Sequence, residues 1–302
     1  MAETDLTPVT VTAPAKINLA LHVTGLRADG YHLLSSLVVF AGSGDRLSVA
    51  PARGLSLRVT GPMAAGVPDD RRNIVWRAAE ALAHAQGRRP DVAITLEKHL
   101  PHGAGIGGGS SDGAATLRAL RMLWGGPPLS ASACLALGAD VPVCVAGPAP
   151  QLMTGIGERV SPAPILPEMW LCLVNPGIAV PTGAVFAALR RTDGAPLDPM
   201  PAAADFARVA AWLSAQRNDL SEAAEAIAPD IAVLRARMAA QPGCALARMS
   251  GSGSTVFGLF ATRSEAEGAA AAMQAPGHWV AAARVLGGAD GEDQLSRKAL
   301  LK

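Results

Sequence analysis

The chain has 302 residues, half of which are hydrophobic, and its 26 basic and 25 acidic residues leave a formal net charge of +1 at pH 7. This length suggests two domains, and the balanced charge argues against a nucleic-acid-binding surface that works through bulk positive charge. The four cysteines lie far apart without a CxxC pair, which is typical of core residues in a reduced protein and argues against a disulfide framework or a zinc site.

The N-terminal segment, residues 1–8, is polar and acidic. It lacks the basic and apolar regions of a signal peptide, and the chain contains no uncharged apolar run of about 18 residues that could span a bilayer. We therefore expect a cytoplasmic protein with no membrane partner.

Alternation of apolar and polar residues predicts the first long strand, over residues 9–23. Its apolar face continues through Ile17 and Leu19, while Lys16 and Asn18 share the opposite face. A lysine and an asparagine on one face of an otherwise apolar strand point to a polar role, and we take both as candidate site residues. A solvated strand face is the alternative.

A hairpin follows, because Asp29-Gly30 is typical of the tight turn between two strands. The turn would bring Tyr31 and His32 to the start of the returning strand, over residues 33–40. This pair alone is a weak signal that also fits ordinary turn packing. Further elements before the next motif are alternating strand residues at 45–60, a helix at 73–86 and a strand at 92–100.

The most distinctive stretch is residues 101–112, PHGAGIGGGSSD, with five glycines in seven positions. It leads into a helix that the pattern predicts over residues 114–124. Glycines let the backbone adopt positive φ and approach a ligand closely, and a helix N-terminus presents unpaired N–H groups and the positive end of its dipole. The stretch therefore predicts a phosphate-binding loop. A flexible turn capped by Ser110 or Ser111 is the alternative.

Two better-known phosphate motifs do not fit this loop. Its glycines formally match GxGxxG, but no acidic residue follows about 20 positions later at the tip of a second strand. No Gly-Lys-Ser/Thr follows either, as a Walker loop requires. A phosphate-binding loop of another lineage is the better interpretation.

Asp140 is the next residue of interest, after a short helix predicted at 131–138. Pro142 lies two positions later, a spacing that fits an N-cap followed by proline in the first helical turn. A strand or turn at 151–160 and a proline-rich linker at 161–167 then end the first half of the chain.

The second half alternates strands and helices around two loops. A buried strand comes first, then a helix with Phe186 inside it, and a Pro- and Ala-rich loop at 190–204 that we expect to be mobile. The remaining predicted elements are helices at 206–213, 221–226, 231–240 and 264–274, strands at 170–174, 245–249 and 279–286, a glycine turn at 250–255, and a strand or short helix at 256–260.

Three motifs, in order, resemble those of the GHMP kinases, the superfamily of galactokinase, homoserine kinase and mevalonate kinase. They are residues 14–18 (PAKIN), 101–111 and 250–254 (SGSGS), and the resemblance covers roughly residues 9–286. The branch that acts on 4-diphosphocytidyl-2-C-methyl-D-erythritol is favoured by further matches at 15–19, 30–32, 107–112, 138–142 and 218–220.

The resemblance implies an α+β, two-domain GHMP kinase fold. An N-terminal ATP-binding domain, residues 1–165, would combine a mixed or antiparallel sheet with helices. A smaller C-terminal domain, residues 166–302, would be α+β and ferredoxin-like.

The resemblance also implies a reaction, the ATP-dependent phosphorylation of the 2-hydroxyl of 4-diphosphocytidyl-2-C-methyl-D-erythritol in the non-mevalonate isoprenoid pathway. Lys16 and Asp140 would be catalytic, with Asp140 accepting the proton of the hydroxyl. Mg²⁺ would accompany the nucleotide, and no residue stands out as its ligand. The residues expected to bind ATP are Pro101, Gly103, Ala104, Gly105, Ile106, Gly107, Gly108, Gly109, Ser110 and Ser111. Those expected to bind the substrate are Asn18, Tyr31, His32, Phe186, Gly251 and Ser252.

Three alternatives remain open at this point. The nearest is another GHMP small-molecule kinase, of the homoserine or mevalonate type. The others are a nucleotide-binding regulatory module without catalysis and a dinucleotide oxidoreductase. For partners, we expect a small molecule with a cytidine diphosphate moiety, no nucleic acid, and a monomer or weak homodimer.

Overall fold

The computed structural model describes residues 8–202 and 205–287. The chain divides into two compact units, each assembled from separate stretches. Of the described residues, the first unit comprises those up to Ala15 together with Gly44–His102 and Gly107–Val145, and the second comprises Lys16–Ser43, Gly103–Ile106 and those from Ala146 on. Because both units are discontinuous, the domain boundary between residues 165 and 166 stays a prediction.

The strands in chain order are β1 (Val9–Leu26), β2 (His32–Pro51), β3 (Leu55–Thr60), β4 (Val92–Glu97), β5 (Gln151–Gly155), β6 (Arg159–Pro162), β7 (Trp170–Asn175), β8 (Leu246–Met249), β9 (Val256–Phe260) and β10 (Trp279–Arg284). The helices are α1 (Ile74–Ala85), α2 (Gly108–Trp124), α3 (Ala131–Leu137), α4 (Val141–Ala146), α5 (Thr182–Ala187), α6 (Phe206–Ala215), α7 (Ser221–Ile227), α8 (Asp230–Ala239) and α9 (Arg263–Ala272). In the described part of the chain, no helix has the length and apolar character that crossing a membrane requires.

The first unit is built on β4. This strand pairs antiparallel with the second half of β2, from Arg46 onward, and parallel with β3. Val92, Ile94 and Leu96 alternate along β4 and enter a buried core that also takes residues from α1 and α2. The side chain of Asn73 caps α1 by accepting the Val75 N–H at 2.9 Å.

The second unit contains a four-stranded antiparallel sheet with the strand order β10-β7-β9-β8. In the order of these four strands along the chain this is 4-1-3-2, with helices between the first and second and between the third and fourth, which is the ferredoxin-like arrangement. Helix α8 packs against β8 and β9, and α9 packs against β7, β9 and β10. A capping box between Thr262 and Glu265 begins α9. The expected ferredoxin-like sheet is therefore present.

Two segments of the chain differ from their predicted structure, the linker at 161–167 and the break predicted between residues 40 and 45. The first half of β2 pairs antiparallel with β5, and β5 pairs antiparallel with β6. Strand β6 occupies the start of the segment predicted as a linker. Strand β2 is continuous over 20 residues, whereas the sequence pattern predicts two separate strands, because glycines at 42 and 44 interrupt the alternation.

The hairpin between β1 and β2 is confirmed. Gly30 has a φ of 86°, and the N–H of Arg27 donates to the carbonyl of Tyr31 at 2.8 Å. Positive φ at this point of a turn is the reason for a glycine after Asp29.

The loop predicted at 190–204 is described up to residue 202 and is attached to the rest of its unit. Gly194 donates its N–H to the carbonyl of Val23 at 3.0 Å, and Leu197 donates to Ser35 Oγ at 3.1 Å. These bonds attach the described part of the loop to β1 and β2, and its expected mobility stays a prediction.

Candidate active site

The glycine run continues directly into the N-terminus of α2. The helix begins at Gly108, six residues before the predicted start, and the N-cap is Gly107, with φ of 60° and no side chain to cap the helix. The first N–H groups of a helix have no carbonyl acceptor within the helix. Because Gly107 has no side chain, no capping group accepts them here either. Together with the helix dipole they form an anion-binding point. This places residues 107–111 of the predicted nucleotide site in the cap and the first turn.

The segment that carries Asp140 lies beside this turn within the first unit. Asp140 is half-buried immediately before α4, and its carbonyl accepts the N–H of Cys144 at 3.2 Å, so it occupies the predicted N-cap position. A Cβ built on Gly138 would lie 3.8 Å from Ser110 Oγ. Gly138, two residues before the candidate base Asp140, therefore lies close to Ser110 in the anion-binding turn.

The earlier part of the glycine loop, residues 103–106, belongs to the second unit. Backbone hydrogen bonds join it there to β1 and to the residue that precedes β9. The carbonyl of Ile106 accepts the Lys16 N–H at 2.9 Å, and the carbonyl of Ala104 accepts the Thr255 N–H at 3.2 Å. A Cβ on Gly105 would lie only 2.5 Å from the Ser250 carbonyl oxygen. Pro101, which precedes this stretch, is buried in the first unit.

The third motif, residues 250–254, packs against this stretch of the glycine loop. Ser250 Oγ donates to the Gly105 carbonyl at 3.0 Å and accepts the Asn18 N–H at 3.2 Å. A Cβ on Gly251 would lie 2.8 Å from the same Gly105 carbonyl. Asn218, from one of the branch-specific motifs, supports the loop by donating to the carbonyls of Met249 and Gly251 at 2.8 and 2.9 Å.

A buried chain of hydrogen bonds orients the two polar residues of β1. Lys16 Nζ donates to Asn18 Oδ1 at 2.8 Å, and Asn18 Nδ2 donates to Ser36 Oγ at 2.8 Å. Ser36 Oγ in turn donates to the Ala20 carbonyl at 2.6 Å. These contacts fix which way the Asn18 amide points. Lys16 and Asn18 are buried, so the alternative of a solvated strand face is wrong.

Helix α5 contains or contacts three of the six predicted substrate residues, Phe186, His32 and Ser252. Thr182 and Phe186 are four residues apart and so share one face of α5. Thr182 Oγ1 lies 2.8 Å from Ser252 Oγ, and the Phe186 ring lies 4.9 Å from the His32 ring, centroid to centroid, at 31°. Burial lowers the pKa of His32. Tyr31 is 58% exposed at the hairpin tip.

The comparisons with known proteins indicate the same family in both halves of the chain. Residues 73–151 match the family described as GHMP kinases N terminal domain, and residues 200–278 match GHMP kinases C terminal. A curated 4-diphosphocytidyl-2-C-methyl-D-erythritol kinase from a Jannaschia species is 55% identical over 268 residues, which are 88% of this chain and 93% of that protein. The chain belongs to the 4-diphosphocytidyl-2-C-methyl-D-erythritol kinase family of GHMP kinases.

Further comparisons support this membership. The protein of the same name from Cereibacter sphaeroides is 56% identical over 279 residues, which are 91% of this chain and 98% of that protein. A crystal structure of 4-(cytidine 5′-diphospho)-2C-methyl-D-erythritol kinase has a TM-score of 0.75 at 37% identity, covering 91% of this chain and 98% of that chain. The predicted family, the α+β GHMP kinase fold and the kinase class of enzyme are confirmed.

The residues that sequence reasoning missed in this kinase form a buried ionic triad in the first unit. Lys98 Nζ donates to the carboxylates of Asp45 and Asp112, the latter at 2.8 Å, and the three side chains are at most 4% exposed. Burial alone would lower the pKa of Lys98, but the charges of Asp112 and Asp45 outweigh it and raise the pKa. Burial, assisted by Asp45, raises the pKa of Asp112 well above its ordinary value despite the Lys98 charge.

Two signals in the sequence could have revealed the triad. Lys98 continues the register of Ile94 and Leu96, the core-facing residues of β4, and a lysine in that register needs a buried partner. The chain also contains 22 arginines and only 4 lysines, so a lysine is an unusual choice here. Lysine presents a compact ammonium, which here donates to both carboxylates from a single nitrogen.

The side chains available as metal ligands indicate how the expected Mg²⁺ could be bound. Among the residues that the structure describes, no group of three or more His, Cys, Asp or Glu side chains could hold a metal ion. Mg²⁺ is commonly held by one or two protein groups together with substrate phosphates and water. The residues present therefore fit an ion held mainly by nucleotide phosphate oxygens, and they do not fit a protein cage.

Proposed function

We propose that the chain catalyses the ATP-dependent phosphorylation of the 2-hydroxyl of 4-diphosphocytidyl-2-C-methyl-D-erythritol, giving the 2-phosphate, a step of isoprenoid precursor synthesis. The observation that carries this proposal is the identity above one half with two curated kinases of that name over nearly their whole length. The geometry of the glycine loop supports it, since a kinase must hold a polyphosphate.

The nucleotide binds through the main chain in this proposal. The residues in question are those expected from the sequence, Pro101 and residues 103–111, and the N–H groups at the start of α2 face the phosphates. Mg²⁺ bound with the nucleotide would neutralise charge on the phosphate oxygens. Glycines let the phosphates come close to the backbone, which a side chain would prevent.

Lys16 and Asp140 carry the chemistry. Asp140 accepts the proton of the 2-hydroxyl as its oxygen bonds to the γ-phosphorus, the bond from that phosphorus to the bridging oxygen breaks, and ADP leaves. A positioned base of this kind contributes about 10²–10⁴-fold. The ammonium of Lys16, oriented by Asn18, stabilises the charge on the transferring phosphoryl oxygens.

The cytidine end binds near the hairpin and α5. Tyr31 and Phe186 stack on the base, and His32 hydrogen-bonds its edge. A neutral imidazole suits that task because it offers one donor and one acceptor, and the lowered pKa of His32 favours the neutral ring. Asn18, Gly251 and Ser252 position the rest of the substrate. The setting we propose is cytoplasmic, with no nucleic-acid partner and a monomer or weak homodimer.

A substrate panel tests this function. Purified protein is mixed with ATP, Mg²⁺ and either the cytidylyl substrate, homoserine or mevalonate, and ADP release is followed while ³¹P NMR locates the new phosphate. We expect turnover with the cytidylyl compound alone and a new phosphate on its 2-hydroxyl. Turnover with homoserine or mevalonate would favour another GHMP kinase, and ADP release that ignores every acceptor would favour a regulatory nucleotide-binding module. Binding of NAD in place of ATP would favour an oxidoreductase.

The role of Asp140 has its own test. Asp140→Asn keeps the shape of the side chain and removes the base, so kcat should fall by at least about 100-fold with little change in the affinity for ATP. Asp69→Asn is the matched control, since Asp69 is an exposed aspartate of the same unit and should keep normal kcat. Normal turnover by Asp140→Asn would show that another group accepts the proton.

A further inference from the structure

The buried triad of Asp45, Lys98 and Asp112 touches the chain on both sides of the glycine loop. Asp45 Oδ1 accepts the backbone N–H of His99 at 2.5 Å and of Leu100 at 2.8 Å, in the segment that enters the loop. Asp112 lies in α2, just after the anion-binding turn. The triad therefore ties the entering segment to the leaving helix.

The ammonium of Lys98 also lies against the first residue of α2. A Cβ built on Gly108 would be 3.6 Å from Lys98 Nζ. The charge of the triad is thus close to the N–H groups that we propose to bind the phosphates. At such distances in a poorly screened interior, a change of one unit of charge alters the free energy of a bound anion substantially.

The two carboxylates of the triad differ in the hydrogen bonds that their oxygens accept. Both oxygens of Asp45 accept hydrogen bonds, Oδ1 from two backbone N–H groups and Oδ2 from Lys98. Asp112 Oδ2 accepts from Lys98, but Asp112 Oδ1 is buried without a hydrogen-bond partner. A buried carboxylate oxygen without a donor disfavours the ionised form. Asp112 is therefore the member of the triad that takes up a proton.

We propose that this triad is the positioning unit of the nucleotide loop and that the protonation of Asp112 sets the loop's affinity for the phosphate anion. With Asp112 protonated, the triad is neutral beside the phosphates. With Asp112 ionised, the triad carries one negative charge there and repels them. This inference deepens the proposed function and rests on it.

The electrostatic surroundings of Asp112 agree with this role. Burial and the charge of Asp45 raise the pKa of Asp112, and the charge of Lys98 opposes them without cancelling them. Among the residues that the structure describes, Asp45 of β2 and Lys98, just after β4, are the charged side chains that act on Asp112. A bound anion adds negative charge nearby, so it favours protonated Asp112, and nucleotide binding should take up a proton.

Asp112→Asn separates this role from a purely structural one. The amide oxygen can accept the same hydrogen bond from Lys98, and the side chain is neutral at every pH. ATP and ADP binding are measured by calorimetry from about pH 5.5 to about pH 9.5, a range that lies above the ordinary aspartate pKa of about 3.9. Each titration is repeated in buffers with different ionisation enthalpies, which counts the protons taken up.

We expect the parent to lose affinity as the pH rises and to take up more protons on binding than the variant does. At the upper end of the range, Asp112→Asn should bind nucleotide about tenfold more tightly than the parent. Protonation of the nucleotide itself is common to both proteins and cancels in the comparison. Structural damage cannot produce tighter binding, so this gain is specific to the charge.

Asp45→Asn is the contrasting control. Its amide nitrogen would face either Lys98 or the backbone N–H groups that Asp45 now accepts, so this change should weaken nucleotide binding at every pH. Equal pH profiles for the parent and Asp112→Asn, or weaker binding by Asp112→Asn throughout the range, would overturn the inference. A parent that fails to bind ATP would instead overturn the proposed function, and the inference with it.

Discussion

Replacement of Gly105 by alanine tests whether the glycine loop is held by close backbone contact. The added Cβ would lie 2.5 Å from the Ser250 carbonyl oxygen, 2.6 Å from that of Gly253 and 2.9 Å from the Gly253 nitrogen. All three are backbone atoms, so no side-chain rotation relieves the overlap, and the two loops must separate.

The cost has two parts. Gly105 has φ of 74°, and an L-residue in the left-handed region costs about 1–2 kcal/mol. Separation of the loops also loses two or three hydrogen bonds, among them Ser250 Oγ to the Gly105 carbonyl and the Thr255 N–H to the Ala104 carbonyl, at about 1 kcal/mol each. We expect Gly105→Ala to lower the free energy of unfolding by about 3–5 kcal/mol.

Gly103→Ala is the matched control. Gly103 has a similar φ of 64°, but a Cβ there would meet nothing within 4 Å, so only the strain of about 1–2 kcal/mol applies. Urea denaturation of both variants gives the difference, and steady-state kinetics should show a larger rise in the KM for ATP for Gly105→Ala. Equal stabilities would refute the idea that the loop is docked through this contact.

Two further predictions concern the supports of the site. Asn218→Ala removes the donor to the carbonyls of Met249 and Gly251. It should lower the free energy of unfolding, measured by urea denaturation, by about 1–3 kcal/mol and raise the KM for the cytidylyl substrate. Unchanged stability would contradict the supporting role. His22 is buried with a lowered pKa, chiefly through desolvation and then through Arg217, so the unfolded chain binds its proton more readily. Stability that is present above the unfolded pKa of about 6.5 should therefore be lost as the pH falls below it, and His22→Gln should lessen that loss, whereas an exposed-site control, His84→Gln, should not.

The regular parts of the fold could be predicted because their signals are local. Alternation along β1 and β4 and the Asp29-Gly30 turn depend on residues close together in sequence. Boundaries were less predictable where a tertiary contact decides them. Glycines weaken a helix, so the sequence pattern places the start of α2 after Gly113, which is too late. In the structure Gly113 lies inside α2, where it packs closely against α1: an added Cβ would be 3.1 Å from Ile74 Cγ1.

The long-range parts of the candidate site could not be predicted from the sequence. Ser36, Thr182 and Asn218 are ordinary polar residues whose partners lie 18, 70 and 31 positions away along the chain. No periodicity marks such pairs. A family motif indicates which residues recur together, but only the folded chain shows that Asn218 supports a loop and that Thr182 reaches Ser252.

The polar face of β1 shows why function and stability must be measured separately in this kinase. Asn18 orients Lys16, whereas His22, on the same face, holds two distant backbone groups: its ring nitrogens contact the Ala195 carbonyl at 3.0 Å and the Arg217 N–H at 3.1 Å. The same alternation that suggests a set of site residues therefore includes a structural anchor. Loss of activity at His22 accompanied by lost stability would reflect anchoring, while loss at Lys16 in a stable protein would reflect phosphoryl transfer. A strand pattern alone assigns both residues the same role, and it is their partners that separate them.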